Sequence, residues 1–411
     1  MRSGTTKAPP AVAGALFVPT LHGIRGIALL LVIAFHVGGA AQWMANDAII
    51  RAFYEYAGPM ALDLLFFTTG FVLFLPVVRS GGFGSVRAFA IRRFARVVPP
   101  YYVCMLLVLA LFPLLSNPAI QSAADRGLDG ILIHAAFLQR IVSPATQGFL
   151  VNSPVWSISV DLVFYLVLPL VASSYLRHPL AGLAIAVVAS AAWRFAFLEP
   201  DAQGLYDGLD YMIQAPLFMA DFASGMTGAW AFVRLSDSGW PRAHARTMVI
   251  VTLGAAAALV GLAYVGGANI PYHLGIFQEP AAVRTALPLV LSVFVVAVSL
   301  APGWLQWPLT NRGPLFWFSE ISYSVYLYHF PVIFFGFYTI GIPKVESFLW
   351  QWAVYVFVVS IAIGAVSYYV IELPSRRIGR RLARRYARGR PRDPPGKAPA
   401  PGGLLGSRDG A

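Results

Sequence analysis

Two ionisable residues interrupt the first long apolar run of the chain. Arg25 stands near its start, in Leu21-His22-Gly23-Ile24-Arg25-Gly26, and His36 follows the apolar stretch 27–35. Charged groups are costly in hydrocarbon, so inside a span they face a protein interior or a water-filled cavity. The separation of eleven positions is close to three helical turns. Both side chains then project from one helix face, about 16 Å apart along the axis. An imidazole in such a place suits general-base catalysis near neutrality. A guanidinium suits phosphate or a developing negative charge. The plainer alternative is an arginine snorkelling to the headgroups and a histidine satisfied by a neighbouring helix.

Further groups of the same kind recur along the chain. Arg93 and Arg96, in Arg92-Arg93-Phe94-Ala95-Arg96, lie one turn apart and share a face. Paired guanidiniums suit phosphate, although orientation in the membrane also places arginines in such segments. Asp161 lies several residues inside an apolar run that opens Trp156-Ser157-Ile158-Ser159-Val160. A carboxylate there is expensive unless paired or functional. Asp63 precedes Phe66-Phe67-Thr68-Thr69-Gly70, where it reads equally as an interfacial or a functional group. Tyr323 and His329 lie in Ser322-Tyr323-Ser324-Val325-Tyr326-Leu327-Tyr328-His329-Phe330-Pro331 and face different sides of one helix.

These motifs, in this order, resemble the acyltransferase 3 family of integral-membrane enzymes. The resemblance rests on Arg25 and His36 in the first span, Arg93-x-x-Arg96, and Trp156-Ser157 with Asp161 and Phe164-Tyr165. It also rests on the Ser322 to Pro331 stretch and on Glu372-Leu373-Pro374, read as a structural terminator of the last span. The sequence departs from the family pattern at Asp161, which replaces a glutamate, at Thr69, which replaces a serine, and at His22, which replaces an aspartate. The resemblance implies O-acyl transfer from acyl-CoA to a hydroxyl of a carbohydrate or of a glycosylated or macrolide natural product. On that reading His36 is the general base, with a histidine-acylated intermediate as the alternative. Asp161 orients it, Arg25 binds donor phosphate or counters charge on the acyl oxygen, and Arg93 and Arg96 bind the donor. Asp63, Thr69, Trp156, Ser157, Tyr323 and His329 support the site. Neither a metal nor a bound cofactor is implied.

Composition identifies what positions these groups. The chain has 411 residues, 58% hydrophobic and only 12% charged, with a mean hydropathy of +0.68. Soluble domains carry about a quarter charged residues, so the expected fold is an all-α integral membrane bundle of about ten transmembrane helices. The predicted spans are 22–41, 57–78, 98–116, 155–172, 179–198, 211–233, 247–266, 284–300, 317–340 and 348–371. The apolar piece 131–138 is too short to cross.

The net charge of +12 falls mostly in alternate loops and in a tail rich in arginine from Arg376 to Arg392. That bias points to anionic lipid and membrane orientation, not nucleic acid, and places both termini in the cytoplasm of a multi-pass cell-membrane protein. Arg51, Arg126, Arg140, Arg284 and Lys344 scatter through the opposite loops, one of which is acidic (Glu199, Asp201, Asp207, Asp210). The expected organisation is a cytoplasmic segment over 1–20, a transmembrane domain over 21–374, and a basic Pro/Gly-rich tail over 375–411. A transporter or flippase of a lipid-linked sugar would also use buried Arg, His and Asp. Such proteins show related halves with paired broken helices, and no such pairing is visible between 1–200 and 201–411.

Overall fold

A computed structural model describes residues 17–40, 48–111, 127–139, 141, 150–197, 214–268, 281–340 and 349–387. The acidic loop, Arg126, Arg140, Lys344, the first sixteen residues and the chain beyond 387 lie outside the described residues, as does the side chain of Arg51.

The described chain is helical throughout. Ten long helices correspond one for one to the predicted spans: α1 (Thr20–Ala40), α2 (Ala48–Ser80), α3 (Val86–Leu111), α5 (Trp156–Arg177), α6 (Pro179–Phe197), α7 (Met219–Ser238), α8 (Ala245–Ala268), α9 (Ala281–Leu300), α11 (Pro314–Ile340) and α12 (Leu349–Ser367). Among the shorter helices are α4 (Gly127–Ala135), α10 (Gly303–Thr310) and α13 (Leu373–Ala387). Nine residues cannot cross a membrane. Instead α4 is held on α3, where the Tyr101 and Tyr102 hydroxyls donate to the carbonyls of His134 and Ala135 at 3.0 and 2.7 Å.

Eight of the long helices are apolar and long enough to span. The other two, α7 and α11, carry several of the polar residues of the interior. Asp221, Ser224 and Thr227 on α7, and Ser319, Ser322, Ser324 and His329 on α11, are all buried. The outer surface is the reverse. On α5, α6 and α8, Leu166, Leu170, Ile185, Val188, Ile250 and Val260 are exposed. A bundle that is polar inside and aliphatic outside is the arrangement that lipid demands.

Two boundaries differ from the sequence expectation. Helix α3 begins twelve residues before the predicted third span, so Arg92, Arg93 and Arg96 sit within the helix. Glu372-Leu373-Pro374 does not interrupt the helical run either. A single π turn over Tyr368–Glu372 joins α12 to α13, and the Leu373 N–H donates to the Tyr368 carbonyl. Pro374 then falls in the first turn of α13, where its missing N–H costs little. The tail helix packs along α3, so the expected domain boundary at 374 falls within one continuous helical run.

The interior has two apolar clusters. One joins α2, α5, α7 and α9 around Phe66, Phe67, Phe71, Phe218 and Phe222. The other joins α1, α3, α11 and α12 around Leu29, Ile33, Tyr101, Ile321 and Val356. Leu64 and Tyr165 pack against both. Helices α2 and α7 approach most closely where Gly70 faces the Phe222 carbonyl and Gly225 faces the Phe67 carbonyl. A Cβ at either position would run into backbone. Small residues of this kind let membrane helices pack backbone to backbone.

Gly225→Leu is therefore expected to separate α2 from α7 at a cost at or above the roughly 1–3 kcal/mol of ordinary overpacking. Thermal unfolding in detergent should show a lower midpoint than wild type, whereas Gly254→Leu, with open space around it, should show no change.

Candidate active site

Helices α1, α2, α3, α5 and α11 converge on a small polar cavity of about 60 Å³ between the two apolar clusters. Its lining includes Arg25, Thr68, Thr69, Arg93, Arg96, Asp161, Tyr165 and Tyr323. The three helices that carry Arg25, Arg93 and Asp161 thus meet here, α2 contributes Thr69 and α11 contributes Tyr323. Arg93 lies over the Tyr165 ring, 5.9 Å from its centroid. The Tyr323 hydroxyl donates to the Val97 carbonyl at 2.8 Å and ties α11 to α3. Asp161 stands in the field of Arg25, Arg96 and Arg93, and its Oδ1 is buried without a hydrogen-bond partner. A second cavity of about 170 Å³ adjoins the first at the end of the bundle and shares Arg25, Val72 and Arg96 with it.

His36 lies elsewhere. With Val32, Phe35, Gly58, Pro59, Leu62, Pro154, Trp156 and Tyr326 it lines a separate cavity of about 40 Å³. Its Nδ1 is 2.9 Å from the Val32 carbonyl oxygen and 3.2 Å from Nε2 of His329. His329 is wholly buried, and its own Nδ1 is 2.6 Å from the Tyr326 carbonyl. A carbonyl only accepts, so His329 carries its proton on Nδ1 and presents a lone pair at Nε2. His36 Nδ1 then carries a proton shared between two acceptors. Its Nε2 is left with the lone pair, as a general base requires.

A hydroxyl network flanks the imidazole pair. Tyr326 donates to the Pro154 carbonyl at 2.6 Å, and Ser157 then donates to the Tyr326 oxygen at 2.7 Å. The backbone before His329 is pinned from below. The Leu327 carbonyl accepts from the Asn152 amide at 3.1 Å and from the buried Cys104 thiol at 3.3 Å.

The expected pairing of Asp161 with His36 is not what the helices build. The hydrogen-bond partners of His36 are Val32 and His329, and Asp161 lies among the arginines. The reason is axial position on α5. Trp156 lines the His36 cavity, and Asp161 is five residues further on, about 7.5 Å along the axis. Arg25 is likewise about 16 Å from His36 along α1, too far to touch the acyl oxygen that His36 would serve.

Asp63 and Arg284 also differ from expectation. Asp63 is wholly buried and ion-paired. Arg284, read as a loop residue, lies inside α9. Its guanidinium bridges Asp63 on α2 at 2.5 Å and Asp221 on α7 at 3.1 Å, with its Cζ 5.2 Å from the Phe218 ring centroid. All three are buried, so this is an ionic clamp across three helices. Tyr326, Tyr165 and Arg376 are site-lining residues that the sequence reading named without assigning them to the site. Tyr326 was recoverable, since it precedes His329 by three residues and so shares its helix face.

A polytopic helical bundle with an arginine-lined interior and a paired imidazole is a candidate membrane-embedded enzyme that admits a polar substrate. The family is shown by comparison. The profile of the family described as "Acyltransferase domain" matches residues 18–371, and the chain belongs to that family, acyltransferase 3. It is 25% identical over 387 residues to the peptidoglycan O-acetyltransferase OatA of Listeria monocytogenes, an alignment covering 88% of this chain and 56% of that protein. It is 24% identical over 390 residues to the O-acetyltransferase OatA of Staphylococcus aureus, covering 88% and 58%. The chain thus spans a little over half the length of these relatives. No solved structure matches it.

Removing the shared cation of the clamp leaves two buried carboxylates without it. Arg284→Ala is expected to cost about 3–5 kcal/mol, the usual penalty for breaking a buried pair from one side. Unfolding in detergent should show that loss, and Arg284→Ala combined with Asp63→Asn should recover part of it.

Proposed function

We propose that this protein is an O-acyltransferase that takes an acyl group from acyl-CoA and delivers it to a carbohydrate hydroxyl. The observation that carries the proposal is the His36–His329 pair, which holds His36 Nδ1 protonated and leaves Nε2 as a base. The polar cavity of Arg25, Arg93 and Arg96 sits about 16 Å away along the same helix. A donor whose phosphates rest among the arginines has a long pantetheine arm with which to carry its thioester toward His36. The arginine end carries the basic segments, so it faces the cytoplasm on the positive-inside rule, where acyl-CoA is found. The Listeria relative is named for peptidoglycan O-acetylation, which supports a cell-envelope glycan as acceptor.

The chemistry follows from the imidazole. The acceptor hydroxyl gives its proton to His36 Nε2 as its oxygen bonds to the thioester carbonyl carbon. Collapse of the tetrahedral adduct breaks the C–S bond, and the leaving thiolate takes that proton back. Nδ1 keeps its own proton throughout, because the Val32 carbonyl and His329 Nε2 both accept it. An imidazole held this way loses little entropy in reaching the reactive orientation. Asp161 offsets part of the positive charge around the donor, which fits its place among the arginines and not beside the base.

His36→Ala is expected to abolish transfer from acyl-CoA by purified protein while membrane insertion stays normal. A rate within about tenfold of wild type, only about 1.4 kcal/mol in the barrier, would remove His36 from the reaction. His329→Ala should be less damaging, since it loosens the base without deleting it.

Arg93→Ala with Arg96→Ala should raise the Michaelis constant for acyl-CoA by at least about tenfold and change turnover at saturation less. Phosphate contacts remote from the reacting thioester show up chiefly in donor affinity. An unchanged constant would leave these arginines as topology determinants.

A further inference from the structure

The cavity at the arginine end has a third guanidinium that comes from the tail helix. Its lining includes His22, Arg25, Arg96, Ser319, Glu320, Tyr368 and Arg376. We propose that Arg376, positioned by Glu372, completes with Arg25 and Arg96 a cradle for the phosphate-bearing head of the donor. This rests on the acyl-CoA reading above and extends it to α13, a helix otherwise accounted for as a basic surface element.

Three observations lead there. First, guanidiniums from three separate helices, α1, α3 and α13, face one cavity of about 170 Å³. Like charges brought together at the end of an apolar bundle repel, and an anion is what relieves them. Glu320 is the one carboxylate among the described lining residues, and it is exposed. Second, Arg376 is held in place. Its Nη1 donates to Glu372 at 3.3 Å. Glu372 is wholly buried and accepts from the Ser324 hydroxyl on α11 at 2.8 Å through its other oxygen. A fully buried glutamate that spends one oxygen on a neighbouring helix and the other on a half-buried arginine fixes that arginine's direction. Third, the positioning depends on a π turn. The π turn over Tyr368–Glu372 ends on Glu372, which accepts from Ser324, while Tyr368 and Arg376 both line the cavity. Such single π turns are rare in helices and concentrate at functional places.

The wall opposite is rigid and polar at one point. His22 is stacked on Phe316 with ring centroids 4.6 Å apart and an interplanar angle of 17°, and Phe17 lies against it at 4.9 Å. Its Nδ1 is buried without a hydrogen-bond partner. A phosphate oxygen or its bound water at this place would meet the ring nitrogen as well as the guanidiniums. The same chemistry would also recognise the phosphate of an anionic lipid headgroup, so the test must separate the two sources.

The test uses full-length protein in phosphatidylcholine nanodiscs and measures binding of coenzyme A, inorganic pyrophosphate and pantetheine, which lacks phosphate. Arg376→Gln is expected to weaken coenzyme A and pyrophosphate at least tenfold and to leave pantetheine unchanged. Arg376→Lys should recover part of the loss, and Glu372→Gln should weaken binding less than Arg376→Gln. Arg384→Gln, an exposed arginine on the same helix, should have no effect, which separates a local cradle from general basicity. Coenzyme A binding that is equal in wild type and Arg376→Gln overturns the cradle and leaves the donor reading standing. Pyrophosphate binding that depends on Arg376, with no binding of coenzyme A, keeps the cradle and overturns the donor reading. Nanodiscs rich in phosphatidylglycerol that displace coenzyme A from wild type but not from Arg376→Gln would assign the cradle to lipid headgroups and overturn the proposal.

Discussion

The cost of an ionisable group in hydrocarbon organises this molecule. A soluble protein hides apolar residues; here the aliphatic surface faces outward and each intramembrane charge must find its counterpart inside. Arg284 does so by bridging Asp63 and Asp221. Glu372 does so through Ser324 and Arg376. These two arrangements tie α2 to α7 and α9, and the tail helix to α11. The helices that carry Thr69 and Tyr323 are each anchored by one of them, and the polar cavity lies where those helices meet the arginine-bearing α1 and α3.

The two ends of α1 divide the work. At one end is a cavity of fixed positive charge, shaped by arginines from several helices. At the other, an imidazole sits in an apolar pocket with its tautomer set by a second imidazole. The bulk between them is packed by Leu29, Val32 and Ile33, all buried. A substrate that engages both ends must be long and narrow, with its charge confined to one extremity. That is a demand on shape as much as on chemistry, and it follows from the length of one helix.

Much of the bundle was legible in the sequence, because a span announces itself by composition. Each of the ten apolar stretches corresponds to a long helix, even α7 and α11, whose polar residues lower their hydropathy. Arg25 and Asp161 were legible as inward-facing groups, since charge at membrane depth points inward. Partnership was not legible. Whether Asp161 meets His36 or Arg25 depends on how far α5 is displaced along α1, a displacement of one or two turns that no periodicity encodes. The Arg284 clamp was hidden for a related reason: an arginine at a helix start reads as a loop residue until the carboxylates across from it are placed. Arg376 was hidden by abundance, one guanidinium in a segment full of them. Its pairing with the buried Glu372 and its place in the cavity wall distinguish it from Arg380 and Arg384.

Cys104 has a practical consequence. It is the chain's one cysteine, and its thiol is buried against Leu327. Maleimides reach thiols that water reaches, so this chain is a silent background for them. A cysteine introduced at any surface position becomes the sole reactive thiol. Labelled from either face of an intact cell, it reports directly which side of the bilayer that position occupies.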